Sequence, residues 1–246
     1  MKTISILTLK GGTGKTTTAQ TLAYILRDRG AKVLLIDADS QANLTKLERI
    51  ENKLSIYDLL INEANIKEVI EDDFISGSPQ LPSKQDEINI YTLKENLKKV
   101  SKLYDYCIID NAPTITKLLM CMLCASDYLL IPSDTQYLSA FSIKDIYKLY
   151  ANIKKSYNQK LELLGVFLIK YKANQKAQQG IRESIKDLTE ALNIKFFESY
   201  IHESAKINEA QLKGLNLIEY DKKLKSKATQ DYINLLDEIL KEIGER

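Results

Sequence analysis

The eight residues Lys10-Gly-Gly-Thr-Gly-Lys-Thr-Thr17 constrain this chain more than any other stretch, because they join the apolar, β-rich run Ile4–Leu9 to a helix-like segment. A strand that turns sharply into a helix through glycines aims successive backbone N–H groups and the positive end of the helix dipole at one point, which makes an anion site. Gly11, Gly12 and Gly14 have no Cβ, so the backbone can bend this way and approach a phosphate closely. In a GxxxxGK[ST] loop, the lysine reaches the β- and γ-phosphates and the hydroxyl after it ligates Mg²⁺, which assigns Lys15 and Thr16. Thr13 and Thr17 complete the nucleotide-binding stretch. The loop departs from the general pattern at two places: Leu9 stands where the first glycine is usual, and a second lysine, Lys10, opens the turn.

Around this loop the sequence alternates strand-like and helix-like segments, the signature of a parallel sheet with right-handed crossovers. Strands are expected at Thr3–Leu9, Lys32–Asp37, Asp73–Gly77 (weakly), Asp105–Asp110, Asp127–Pro132 and Leu161–Ile169, with Lys195–Ile201 as a last candidate. Helices are expected at Thr16–Arg29, stopped by Gly30, and at Ser139–Ser156, Gln175–Leu192, Glu203–Lys213 and Ser226–Ile243. Gly77–Asp86, with Pro79 and Pro82, reads as a loop. A chain of 246 residues, 44% hydrophobic and 28% charged, can bury a substantial core. It fits one α/β domain over residues 1–246, a doubly wound and mostly parallel sheet flanked by helices, the P-loop NTPase architecture.

Two further apolar strands end in carboxylates. Lys32–Asn43, KVLLIDADSQAN, delivers Asp37 and Asp39 to a strand's carboxyl end, where ligands bind in a doubly wound sheet. Asp39 alternatively caps the residues that follow. In Tyr104–Thr114, YDYCIIDNAPT, the run ends at Asp110, and a carboxylate at a strand tip beside a P-loop holds Mg²⁺ directly or through water.

Together these strings resemble the ParA/MinD group of P-loop ATPases. KGGxGK[ST] with its early lysine is that group's deviant Walker A motif, and DADSQAN is similar to its DxDPQxN, with Ser40 in the place of proline. YDYCIIDNAP matches DxxxxDxPP in part, and weaker similarity runs through Ser126–Ile143, Ile201–Gln211 and the last helix. The resemblance implies that Lys10 crosses a dimer interface to the nucleotide of the other subunit. It also implies that Asp39 orients or activates the attacking water, and that Asp37 lies near the outer shell of the metal. ATP or ADP and Mg²⁺ are the implied cofactors, and the ATP form is an implied homodimer that binds nonspecific double-stranded DNA. A ParB-like centromere-binding adaptor would stimulate hydrolysis, in a cytoplasmic, nucleoid-associated protein. With the first strand at residue 3, no N-terminal helix-turn-helix extension is expected, nor operator autoregulation.

Lysines are unevenly placed in a chain whose formal net charge is only +2. Eight lie between Lys144 and Lys176 against two acidic residues, and Lys222, Lys223, Lys225 and Lys227 precede the last helix. Such clusters bind DNA phosphates without reading sequence, although they also occur as solvated faces. Lys206 matches a basic position of the family. No apolar run reaches the length of a membrane span. A MinD-like membrane-surface role would need a basic amphipathic C-terminal helix, whereas Asp231, Asp237, Glu238, Glu242 and Glu245 make this end acidic. The 14 tyrosines are dispersed rather than clustered as autophosphorylation sites. Cys121 and Cys124 share a helical face, open to metal at a dimer interface but flanked by Leu118, Leu119, Met120, Met122 and Leu123, which favours two buried thiols. His202, the only histidine, reads as a polar position near a strand end.

Overall fold

The computed structural model describes residues 1–50, 53–136 and 138–245. Seven strands form one sheet in the order β3-β2-β4-β1-β5-β6-β7. They are β1 (Lys2–Ile6), β2 (Val33–Ala38), β3 (Phe74–Ile75), β4 (Tyr106–Asn111), β5 (Tyr128–Ser133), β6 (Glu162–Tyr171) and β7 (Ile201–His202). Every strand pairing within the sheet is parallel, so the expectation of a mostly parallel sheet is exceeded. A parallel sheet needs crossovers that cover both faces, so its strands are apolar on both sides. In β2, Leu35 belongs to the core on one face while Leu34 and Ile36 belong to the core on the other.

One face is covered by α1 (Lys15–Asp28) and α11 (Lys227–Glu242), which supply Leu22, Leu26, Tyr232, Leu235 and Ile239 to that core. The other carries α5 (Thr92–Val100), α6 (Lys117–Ala125), α7 (Ser139–Ser156) and α8 (Lys176–Ala191), including Leu97, Met122, Ile146 and Ile185. α7 has the bounds expected from sequence. Gly30, at φ 87°, follows α1 in the left-handed conformation that favours glycine at a helix end.

Short elements escaped the sequence reading because each is held by tertiary contacts rather than by its own periodicity. They are α2 (Asn43–Glu48), α3 (Ile56–Leu60), α4 (Ile66–Val69) and α10 (Leu217–Tyr220), whereas α9 (Ala205–Leu212) lies within the helix expected at Glu203–Lys213. The segment read as a loop contains a 3₁₀ turn at Leu81–Glu87, with Pro82 in its first turn and fully buried Leu81 as its anchor. The expected strand Lys195–Ile201 is interrupted. Residues 195–197 bond to Val166 on β6, but the Glu198 and Ser199 N–H groups then donate to Glu238 of α11, which takes the place of a strand neighbour.

The α1–α11 contact centres on Tyr232, fully buried, whose hydroxyl lies 3.3 Å from the Thr18 hydroxyl. Tyr232→Phe should cost about 1 kcal/mol through the lost hydrogen bond. Tyr232→Ala should cost about 3–5 kcal/mol, because it also leaves a cavity. Urea midpoints of the two variants check this, and equal losses would show that the ring contributes little.

Candidate nucleotide site

The first loop is shaped by glycines at the two positions where shape matters. Gly12 and Gly14 have φ 74° and 73°, and a Cβ on Gly14 would stand 2.5 Å from Ile169 Cδ1. Above Gly11 and Gly12 a Cβ would meet nothing within 4 Å, leaving the backbone N–H face open to a ligand. The Thr13 hydroxyl donates to the Lys10 carbonyl at 3.0 Å and fixes the turn. Lys170, itself at φ 57°, donates from Nζ to the Gly12 carbonyl at 2.8 Å. Lys10, Gly11, Gly12, Asp134 and Lys170 line a cavity of about 240 Å³ at the mouth of the loop.

Charge is concentrated behind the glycines. Lys15 is buried, and desolvation lowers its pKa while Asp110 and Asp39 raise it in part. Asp37 and Asp110 are register partners on β2 and β4, so two carboxylates stand side by side at adjacent strand tips. Their environments differ. Asp37 is fully used within the chain: Oδ1 accepts the Asp39 N–H at 3.0 Å, and Oδ2 accepts the N–H and hydroxyl of Thr45 at 2.9 and 2.8 Å. Asp110 is 1% exposed, and neither carboxylate oxygen has a partner at full hydrogen-bond geometry, the Thr16 hydroxyl standing close but short of it. Burial first, and then the charge of Asp37, push Asp110 up to about 8, against the opposing pull of the Thr16 hydroxyl and Lys15.

A buried carboxylate with both oxygens unpartnered is costly unless something binds it. Thr16 stands beside it at the end of the glycine loop, a donor set that suits a hard divalent cation completed by phosphate and water oxygens. Among the described residues no three His, Cys, Asp or Glu side chains gather as a self-sufficient metal cage. The fit is therefore to an ion that arrives with the nucleotide.

Asp39 stands on the turn that Asp37 builds. Its Oδ1 accepts the Gln41 N–H at 2.9 Å, and its carbonyl accepts the Ala42 N–H at 2.9 Å. The cap position of α2 is Ala42, at φ 51°, so Asp39 organises the approach to the helix without being its cap. Gly77, after β3, closes the turn from the other side. Its N–H donates to the Thr45 hydroxyl at 2.8 Å, and a Cβ there would lie 2.8 Å from the Asp39 carbonyl oxygen and 2.9 Å from Asp37 Cγ.

Lys10 does not point into the cradle made by its own loop. Its Nζ donates to Asp134 Oδ2 at 2.5 Å and to Gln136 Oε1 at 2.6 Å, and the Ser139 hydroxyl holds the other oxygen of Asp134. Asp134 lies within Ser126–Ile143 and carries no assignment from sequence. The signal was the one that found Asp110, a carboxylate just past an apolar strand. Gln211, whose Nε2 donates to the Thr17 hydroxyl at 3.2 Å, left no such signal.

The remaining singled-out residues lie away from this centre. Lys222, Lys223, Lys225 and Lys227 are exposed, and Lys206 pairs with Glu209 at 3.2 Å over the Tyr220 ring. His202 Nδ1 meets Asp231 at 2.7 Å. Cys121 and Cys124 are both fully buried in α6, and burial pushes both thiols up, Cys121 to about 12.

The family model of the AAA domain AAA_31 matches residues 1–163, the part that contains the glycine loop, both carboxylate strands and Asp134. The chain belongs to this family. It is similar over its whole length to the chromosome-partitioning ATPase Soj of Treponema pallidum, with 29% identity over 258 residues that cover 100% of this chain and 99% of the relative. Among solved structures it resembles the ATP complex of McdA from Cyanothece, at a TM-score of 0.84 with 26% identity, covering 100% of this chain and 97% of the other. It also resembles the septum site-determining protein MinD of Pyrococcus horikoshii complexed with Mg-ADP, at 0.80 and 25%. That match covers 99% of this chain and 97% of the other. The chain is thus an ATP-hydrolysing enzyme of the ParA-like P-loop class.

Gly77→Ala should leave nucleotide binding through Lys15 and the glycine loop within about threefold but lower turnover tenfold or more, since about 1.4 kcal/mol of misplacement at the Asp39 turn is a factor of ten in rate. Binding of a fluorescent ATP analogue and phosphate release separate the two effects. Unimpaired turnover would show that the Asp37–Asp39 turn tolerates the added methyl.

Proposed function

We propose that this chain is a DNA-partitioning ATPase that acts as a nucleotide-switched dimer. The observation that carries the reading is Lys10, a lysine of the phosphate loop turned outward to the rim of the site, where a second subunit's nucleotide can meet it. Exposed apolar side chains accompany it: Ile115 follows β4, while Leu138 and Phe141 follow β5, exposed by 56%, 64% and 53%. With β1 lying between β4 and β5, these residues share one edge with the glycine loop, and apolar surface of this kind suits burial against another copy.

In this reading the glycine-loop N–H groups and Lys15 hold the phosphates of ATP, and Thr16 and Asp110 hold Mg²⁺, with Asp37 contributing charge from the outer shell. The ion supplies neutralisation of the β- and γ-phosphate oxygens. Asp39 orients the water that attacks the γ-phosphate, and ATP and water become ADP and phosphate. Lys10 leaves Asp134 to complete the opposite site, so closure of the dimer couples to the nucleotide. Lys206, Lys222, Lys223, Lys225 and Lys227 provide a basic face for nonspecific duplex DNA. A ParB-like centromere-binding protein accelerates hydrolysis, and ADP returns the chain to its monomeric state and releases it from the nucleoid.

The likeness to MinD raises a second reading, a membrane-surface ATPase. Against it, the apolar face of α11 is spent on the core through Tyr232, Leu235, Leu236 and Ile239, while Asp237 and Glu242 are exposed. Among the described residues, no helix is long and apolar enough to cross a membrane.

Lys15→Ala should abolish ATP binding, whereas Asp39→Ala should bind ATP and dimerise yet fail to turn over. Wild-type protein should bind random duplex DNA with ATP and not with ADP. Each of Lys222, Lys223, Lys225 and Lys227 that contacts a phosphate should lower the slope of log K against log salt by about 0.9 when changed to Ala. Equal DNA affinity in ATP and ADP, or ATP-dependent sedimentation with anionic vesicles instead, would overturn the partition reading.

A further inference from the structure

The helix after the Asp39 turn is short and unusually constrained. α2 spans six residues and is bracketed by Ala42 at φ 51° and Arg49 at φ 57°. A left-handed backbone costs an L-residue about 1–2 kcal/mol, so contacts elsewhere must hold both ends in place. Near its start, Thr45 donates twice to Asp37, which fastens the helix to the turn that carries Asp39. Near its end, Glu48 accepts Gln20 Nε2 at 2.7 Å and the Tyr24 hydroxyl at 2.8 Å, both from α1. The segment is thus held at both ends, to the Asp39 turn and to α1.

Its last contact leaves the nucleotide region altogether. Arg49 Nη2 donates to the Lys213 carbonyl at 3.3 Å, at the carboxyl end of α9. The guanidinium fills the space over Gly214, where a Cβ would stand 1.4 Å from Nη2. Gly214, at φ 63°, thus serves both the end of α9 and the seat of Arg49. α9 is tied to the loop a second time by Gln211 and Thr17, next to Thr16. It carries Lys206 and leads through α10 to Lys222–Lys227.

We propose that Arg49 is a positioning residue that transmits the state of the Asp39 turn through α2 to α9, and so sets the nucleotide-dependent placement of the basic segment beyond it. The DNA output of this linkage rests on the partition reading above; the linkage between turn and helix does not. When a γ-phosphate engages the Asp39 turn, Asp37 and Thr45 carry α2 with it, and Arg49 shifts the docking of the Lys213–Gly214 corner. Two sites that bias one element in this way are coupled whether or not the ligands touch.

Hydrogen–deuterium exchange over residues 205–216, with a nonhydrolysable ATP analogue or with ADP, tests the linkage directly. In the wild type, exchange should differ between the two nucleotides by about fivefold or more, the lower end of typical allosteric coupling. Arg49→Ala should cut that difference by at least half, the Gln211–Thr17 contact carrying the rest, while analogue affinity and basal hydrolysis stay near wild type, and Arg49→Lys should restore part of it by donating to the same carbonyl. Gly214→Ala evicts the guanidinium without removing it and should reproduce the loss if Arg49→Ala does not fold. No nucleotide-dependent difference in the wild type, or a full difference retained in the folded variants, would overturn the proposal. DNA affinity measured in parallel separates the two readings. Wild-type DNA binding that ignores the nucleotide sinks the partition reading alone, while the exchange result still decides the role of Arg49.

Discussion

The site depends on a buried arrangement of charges, Lys15 against Asp110 with Asp37 beside that carboxylate, at the carboxyl ends of adjacent parallel strands. Taking such groups out of water is unfavourable for each one separately, and their mutual attraction offsets only part of that cost. Lys15 is held below its ordinary pKa and Asp110 above its own, both chiefly by burial. The parallel sheet makes the arrangement possible, because β1, β2 and β4 are neighbours whose ends all face the same way. An apolar body on both faces of the sheet keeps water out, which leaves the Asp110 oxygens buried without a full hydrogen-bond partner.

Around that centre, two similar carboxylates have been given different tasks by their neighbours. Asp37 is satisfied by Thr45 and by the backbone of Asp39, and its work is to hold a turn. Asp110 is satisfied by nothing in the chain. Gly77, just after β3, and Thr45 of α2 then close the Asp39 turn. Lys10 and Asp134 form a separate, outward-facing pair. The inner charges lie behind the glycine loop, while the outer pair lies at its mouth.

The strand tips were legible because an apolar run that stops at a carboxylate is a local pattern, and the glycine loop because its conformation is written in residues that lack Cβ. Strand positions could be read for the same reason, as each is buried on both faces and so nearly continuous in hydrophobicity. The interrupted stretch before β7 could not be read. Its continuation depended on whether Glu238, some forty residues away, would take its N–H groups. α2 was hidden as well, since a six-residue helix with left-handed residues at both ends has no propensity of its own to show.

The sequence alone shows most of the order of elements and the glycine loop, and it marks Lys15 and Asp110 as candidates by local pattern, whereas the roles expected of Lys10 and Asp39 come from the family resemblance. Tertiary structure decided which of them share a charge environment, which carboxylate stays unpartnered, where Lys10 points, and that Arg49 reaches Gly214. Those outcomes depend on distances between segments far apart in the chain. Hydrogen bonding and desolvation act through space, and the sequence encodes that space only once the sheet has closed.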